Sequence, residues 1–301
     1  AINTPADFPD FGHTTIIIGG NAVIGTEDGD NGYVFGAGKG DAGSVFADLT
    51  NVFETNVTIK GNAQIYGSVF GGGEDGHVNS FEWENPNNSQ QKVIKQGDTH
   101  VFIEGNCKIG TEGAFGRRGN VYGGGRGIDQ YVDDQGVPHY SPTAGKVDGS
   151  THVTILGGDV FQNVYGGGNK SLVRGNKTVN IKDGWVHRII YGGSNEIPFD
   201  PTWSHTGLKT VNMIGGKAHK LFGCSHNTID GDFRMFDGDL EVIGFIDDEG
   251  NHKLVYYNNQ ELEYEGDVND LRLEARTTNP TSFVNISGGY LYDFGDDDNP
   301  D

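Results

Sequence analysis

Four aromatic residues sit where a polar ligand could meet them. Trp83, Tyr131, Tyr140 and Trp203 each lie in a stretch rich in Asn, Asp, Ser or Pro rather than in an apolar run. Rings in such settings stack on the apolar face of a sugar while neighbouring amides and carboxylates bond its hydroxyls. They are the candidate ligand-binding residues, and packing of the loops against the protein body is the competing use for them. The acidic turns Glu27-Asp28-Gly29-Asp30-Asn31, Asp133-Asp134, Asp247-Asp248-Glu249 and Asp296-Asp297-Asp298 have the oxygen donors that Ca²⁺ takes. None has EF-hand spacing, and the Gly/Asp nonapeptide of Ca²⁺-binding rolls is absent. The expectation is solvated turns and no cofactor, with a structural Ca²⁺ as the alternative. His187 and His219 each follow a corner glycine (Gly184, Gly216) by three residues. Aligned on those glycines the two rings face each other; aligned on Tyr191 and Phe222, His219 faces Arg188 instead. Gly36-Ala37-Gly38-Lys39-Gly40 resembles a phosphate loop but lacks the Lys-Ser/Thr pair and any helical pattern after it. The same place elsewhere reads Gly71-Gly72-Gly73 and Gly166-Gly167-Gly168, so it reads as a bend.

The elements that must hold these residues are written seven times over. Val57 to Gly73 reads V-T-I-K-G-N-A-Q-I-Y-G-S-V-F-G-G-G, and Val153 to Gly168 reads V-T-I-L-G-G-D-V-F-Q-N-V-Y-G-G-G. Weaker copies begin at Ile16, Val101, Val179, Val211 and Val284. Each opens with period-two alternation of β-branched and polar residues, the signature of a half-buried strand. Glycines follow as a corner, and a second strand leads to Val69-Phe70, Val121-Tyr122, Val164-Tyr165, Ile190-Tyr191 or Leu221-Phe222. The starts are 41, 44, 52, 26, 32 and 73 residues apart. Propeller blades require about 40–45 residues, and two intervals are too short. A pass of 26 residues fits one coil of a solenoid, three short strands and three turns stacked about 4.8 Å from the next. The expected fold is therefore all-β, a parallel β-helix (β-solenoid) with loop insertions. Gly20 to Glu27 nearly duplicates Gly105 to Glu112, so the insertions behind them should emerge on one face.

The expected organisation is a lead-in over 1–13, coils over 14–230, an insertion or capping hairpin over 231–280, and a last coil with an acidic tail over 281–301. The hairpin is read from Leu240-Glu241-Val242-Ile243 and Lys253-Leu254-Val255-Tyr256-Tyr257 around an acidic turn. A net charge of −21, with no Lys/Arg cluster, argues against nucleic acid and against anionic membranes. No apolar run approaches the roughly 18 residues of a membrane span. Two cysteines, Cys107 and Cys224, do not make a disulfide scaffold, and both read as small core residues. The chain starts at Ala1 with no initiator Met or leader, which reads as a processed or excised piece of something longer.

The V-Y-G-G-G-N phrase at Val164 to Asn169 resembles the Gly-rich repeats of secreted surface proteins of Bacteroidetes. More broadly the chain resembles right-handed parallel β-helix adhesins of the pectate-lyase-like class, over roughly 14–230 and 281–295. That resemblance implies a secreted or cell-surface, non-catalytic module whose partner is a glycan or host surface, standing alone or within a longer chain or fibre. Two alternatives stay open: a polysaccharide lyase or glycoside hydrolase, bacterial or of a phage tailspike, and a structural spacer. The ordered polygalacturonase set (Asn-Thr-Asp, Asp-Asp, His-Gly, Arg-Ile-Lys) cannot be assembled here, and Asn227-Thr228-Ile229-Asp230 does not replace its first member. Arg117-Arg118 is the one paired basic feature in a loop. No catalytic residue and no metal ligand carries over.

Overall fold

The computed structural model describes residues 12–40, 51–84, 92–95, 97–113, 118–127, 131–132, 138–139, 143–196, 207–226, 233–237, 239–248, 251–256, 260–263, 272–275 and 282–292. Among them the chain is all-β, without a helix. A 14-stranded sheet made of parallel pairs dominates. Its first ladder stacks His13–Ile18, Glu54–Ile59, Asp98–Ile103, Thr151–Val160, Lys177–Tyr191, Lys209–Phe222 and Ser282–Leu291. The register matches the repeat starts: Ile16, Val57, Val101, Val153, Val179, Val211 and Val284 form one column. Ile18, Ile59, Ile103, Ile155, Ile181, Met213 and Ile286 form the column two residues on.

A second ladder stacks Val23–Ile24, Gln64–Ile65 and Lys108–Ile109 onto Asp159-Val160, Trp185-Val186, Lys217-Ala218 and Tyr290-Leu291. The third stacks Val34–Phe35, Val69–Phe70, Val121–Tyr122 and Val164–Tyr165 onto Ile190-Tyr191 and Leu221-Phe222. Lys177–Tyr191 and Lys209–Phe222 are long enough to run through all three, so the sheet curls on itself. Alternation then puts one side of the ladder strands, the last one apart, into an apolar core that includes Ile59, Ile65, Val69, Ile103, Ile109, Val121, Ile155, Val160 and Val164. Burying each such side chain contributes roughly 1.5–3 kcal/mol.

The glycines of the Val-Tyr-Gly phrase are required by how closely successive passes approach. A Cβ at Gly71 would lie 2.2 Å from the Gly123 carbonyl oxygen, and one at Gly123 2.2 Å from that of Gly166. The same carbonyls are held from within the core. The hydroxyls of Thr14, Thr55, Thr99 and Thr151 donate to the carbonyls of Gly36, Gly71, Gly123 and Gly166, each at 2.5 Å. Two buried lysines, Lys177 and Lys209, continue this threonine column. The Lys177 ammonium donates to the carbonyls of Val173 (2.8 Å) and Gly175 (3.1 Å), so its charge is desolvated but bonded.

Side chains stack outside the apolar core as well. Phe35, Phe70, Tyr122, Tyr165, Tyr191 and Phe222 form a continuous ring stack with centroids 4.6–5.4 Å apart. Burial raises the phenols of Tyr122, Tyr165 and Tyr191 above their ordinary range. On the outer face of the first ladder Asn285 donates to Asn212 (2.8 Å) and Asn212 to Asn180 (2.9 Å), an amide ladder of cross-β type. The insertions carry their own sheets. Phe81–Glu84 pairs with Lys92–Lys95, and Tyr131–Val132 with Pro138–His139. Between 233 and 275 lies a five-stranded antiparallel sheet that includes the expected hairpin, Leu240–Asp248 with Asn251–Tyr256.

Candidate ligand-binding face

The second ladder turns a distinctive column of side chains outward. Because strand residues alternate, the neighbours of the inward-column residues Ile65, Ile109, Val160, Val186, Ala218 and Leu291 point to solvent: Gln64, Lys108, Asp159, Trp185, Lys217 and Tyr290. Two large aromatics thus stand in a column that is otherwise polar apart from Val23 in its first pass. Trp185 is 37% exposed and Tyr290 63%. They are two passes apart, about 9.6 Å at the spacing of paired strands.

Beside the column runs a shallow groove of about 450 Å³, reaching from Asn106 past Gly158, Gly184 and Gly216 to Gly289, with Asp159, Asp183, Trp185, Lys217 and Tyr290 along it. Its floor is nearly bare of side chains because the corner cannot carry them. Gly184, Gly216 and Gly289 all have positive φ, and a Cβ at any of them would come within 2.8 Å of backbone in the preceding pass. Asn106 belongs to the third pass and Gly289 to the seventh, so the groove spans four steps, about 19 Å.

The aromatic wall is braced. The Trp185 indole N–H donates to the Tyr292 hydroxyl (3.0 Å), which donates to the His187 carbonyl (2.8 Å). His187 stacks on Trp185 with centroids 3.9 Å apart and on Phe161 at 4.5 Å. Its Nε2 lies 3.2 Å from the Asp159 carboxylate. Burial lowers the His187 pKa despite that carboxylate, so the ring is neutral at pH 7 and donates from Nε2. The Lys217 ammonium sits 5.3 Å from the Trp185 ring centroid, and Asp183 accepts from the Gly184 N–H (2.8 Å). An exposed indole and phenol, a carboxylate, an ammonium and an amide along a narrow trough make up the equipment for holding a polyhydroxylated chain.

The two alignments of His187 and His219 turn out to be compatible. Val186 pairs with Ala218, but Ile189 pairs with Lys220, and the irregularity between them absorbs one residue. His219 meets the Tyr292 ring at 5.7 Å. Among the described residues no three His, Cys, Asp or Glu side chains group as metal ligands. His100 and His152, which share a position in the repeat, stack at 4.8 Å on the outer face. Cys107 is buried, its thiol pushed up to about 11 mainly by desolvation, whereas Cys224 is exposed, contrary to the expectation of a core residue. Cys224 belongs to the sixth pass, near the end of the stack, and meets the Ser282 hydroxyl at 3.3 Å.

Of the aromatics singled out from the sequence, Trp83 pairs with Val93 in one insertion hairpin and Tyr131 with His139 in another. The side chains of both, and Tyr140 and Trp203 altogether, lie outside the described residues. The insertions behind the near-duplicated segments do share a face. Arg118 donates to the carbonyls of Glu27 and Gly29 (3.1 Å to the latter), which bridges the two. Trp185 was missed because it lies in a strand rather than a loop. The available signal was its column: with the copies aligned on their corner glycines, Trp185 falls among Asp159 and Lys217 and faces outward. No family model, curated protein or solved structure matches this chain.

Proposed function

We propose that the curled parallel sheet is a β-solenoid acting as a non-catalytic, adhesin-like module that binds a glycan along its glycine groove, at the cell surface or in the secreted fraction. The observation that carries this reading is the pair Trp185 and Tyr290, exposed in one outward column and about 9.6 Å apart, roughly two pyranose units. Stacking platforms at that interval favour a chain lying along the axis of the stack. Asp183, Lys217 and Asn106 would then bond hydroxyls from the trough. The loop aromatics Trp83, Tyr131, Tyr140 and Trp203 are the second place such a ligand would be held.

Titration calorimetry with soluble polysaccharides from a broad panel tests the assignment. One or more polymers should bind, and Trp185→Ala and Tyr290→Ala should each weaken binding at least about tenfold, about 1.4 kcal/mol. Unchanged affinity in both variants would move the site to the loops, and silence across the panel would remove the glycan reading. Release of reducing ends or unsaturated products by the wild type would replace binding with the lyase or hydrolase alternative.

A further inference from the structure

The first and last strands of the large sheet each have, among the described residues, one paired edge and one unpaired edge. Among the described residues the first strand, His13–Ile18, pairs only with Glu54–Ile59, and the last, Ser282–Leu291, only with Lys209–Phe222. Val211, Met213 and Ala218 are fully buried, yet their successors in the same inward columns are not: Val284 is 44% exposed, Ile286 52% and Leu291 42%. At the other end Ile16, Ile18 and Ile24 are only partly buried against the core. Among the described residues six passes have a strand neighbour above them at these positions and the seventh has none.

We propose that a second copy of this chain covers that end, with its first pass docking head-to-tail on the last pass of the copy before it. Three observations select this occupant. Parallel pairing uses one edge of a strand toward the preceding pass and the other toward the next, so the free edge of His13–Ile18 complements the free edge of Ser282–Leu291. The columns also continue across the junction: Ile16 falls on Val284, Ile18 on Ile286 and Ile24 on Leu291, with Thr14 on Ser282 in the polar column. Finally, the exposed positions are interior positions elsewhere in the ladder, so the same step that relates neighbouring passes would bury them. A two-fold, tail-to-tail dimer would set the strands antiparallel and break every column. Head-to-tail contact is heterologous and does not close, so the assembly is an open filament rather than a dimer. In that filament Gly20 of one copy follows Gly289 of the previous one, and the groove runs on without interruption. The inference is independent of what the groove binds.

Sedimentation velocity of the full chain over a concentration series, with reductant to keep Cys224 free, is the test. The wild type should show an open series of species that lengthens with concentration. Ile286→Lys blocks the tail and Ile18→Lys blocks the head, so each alone should be monomeric, and an equal mixture should give a single one-to-one complex. Leu291→Lys and Ile24→Lys form a second pair, and far-UV circular dichroism verifies that each variant is folded. A wild type that stays monomeric throughout would overturn the proposal. So would a closed dimer, or self-association of Ile18→Lys alone, which only tail-to-tail contact allows.

Discussion

A methyl group at Gly123 would lie 2.2 Å from the Gly166 carbonyl oxygen and 2.9 Å from Thr151 Cβ, and both neighbours are fixed by hydrogen bonds of their own. Neither is the end of a flexible side chain, so the two passes must separate. Gly123→Ala should therefore destabilise by about 3 kcal/mol, in the range of overpacked core sites, measured as a shift in urea midpoint. By contrast, Gly113→Ala, whose Cβ would meet nothing within 4 Å, should cost only what its positive φ imposes, about 1 kcal/mol. Residue by residue, the buried scaffold was legible because few side chains satisfy it. Valine and isoleucine alternate in the interior, and glycine fills the corners where a Cβ collides; the threonine column was not read in advance. Trp185 was not legible in the same way, because a strand tryptophan has the same local signature whether it faces the core or the solvent. Only its register against Asp159 and Lys217 tells the two apart. The roles of Trp83 and Tyr131 turn on side chains that local pattern does not place.

The element that governs behaviour is the column, a line of like residues running across the strands. His100 and His152 form the shortest of these, two rings stacked with centroids 4.8 Å apart. Desolvation, then the neighbouring His100, lowers the His152 pKa below its ordinary 6.5. A base whose folded pKa is depressed binds its proton more readily when unfolded, so the stabilising contribution is complete above about pH 6.5 and declines as pH falls below that. His187 shifts in the same direction because of burial. His152→Asn replaces the ring with the amide that stacks well at Asn180, Asn212 and Asn285. The melting temperature of the wild type minus that of the variant should become more negative between pH 7.5 and pH 5. A difference that stays constant would mean the stack does not titrate. Taking the difference removes the opposite effect of neutralising a chain with net charge −21. Column identity was legible wherever copies could be aligned without gaps. It failed between Val186 and Ile189, where one extra residue shifts the frame and the sequence supported two registers equally.

For the whole molecule, what matters is that among the described residues each pass pairs its ladder strands only with the passes on either side of it. Stability in such stacks is close to a sum of unit and interface contributions. Excising residues 153–178 removes one 26-residue interval and joins His152 to Val179. Val101 then falls beside Val179, Ile103 beside Ile181 and Tyr122 beside Tyr191, the columns each already occupies. This shortened chain should fold, with a cooperative melt and the β-type circular dichroism of the parent. Removing 153–165 alone takes out half a pass and should leave no ordered state. The near-copy of Gly20–Glu27 at Gly105–Glu112 is what such a rule leaves behind in a sequence. Since any interval can be added or lost without reworking its neighbours, unequal recombination within the gene changes the reach of this protein in whole-pass steps. Length becomes a heritable variable that selection can adjust without redesigning the interior.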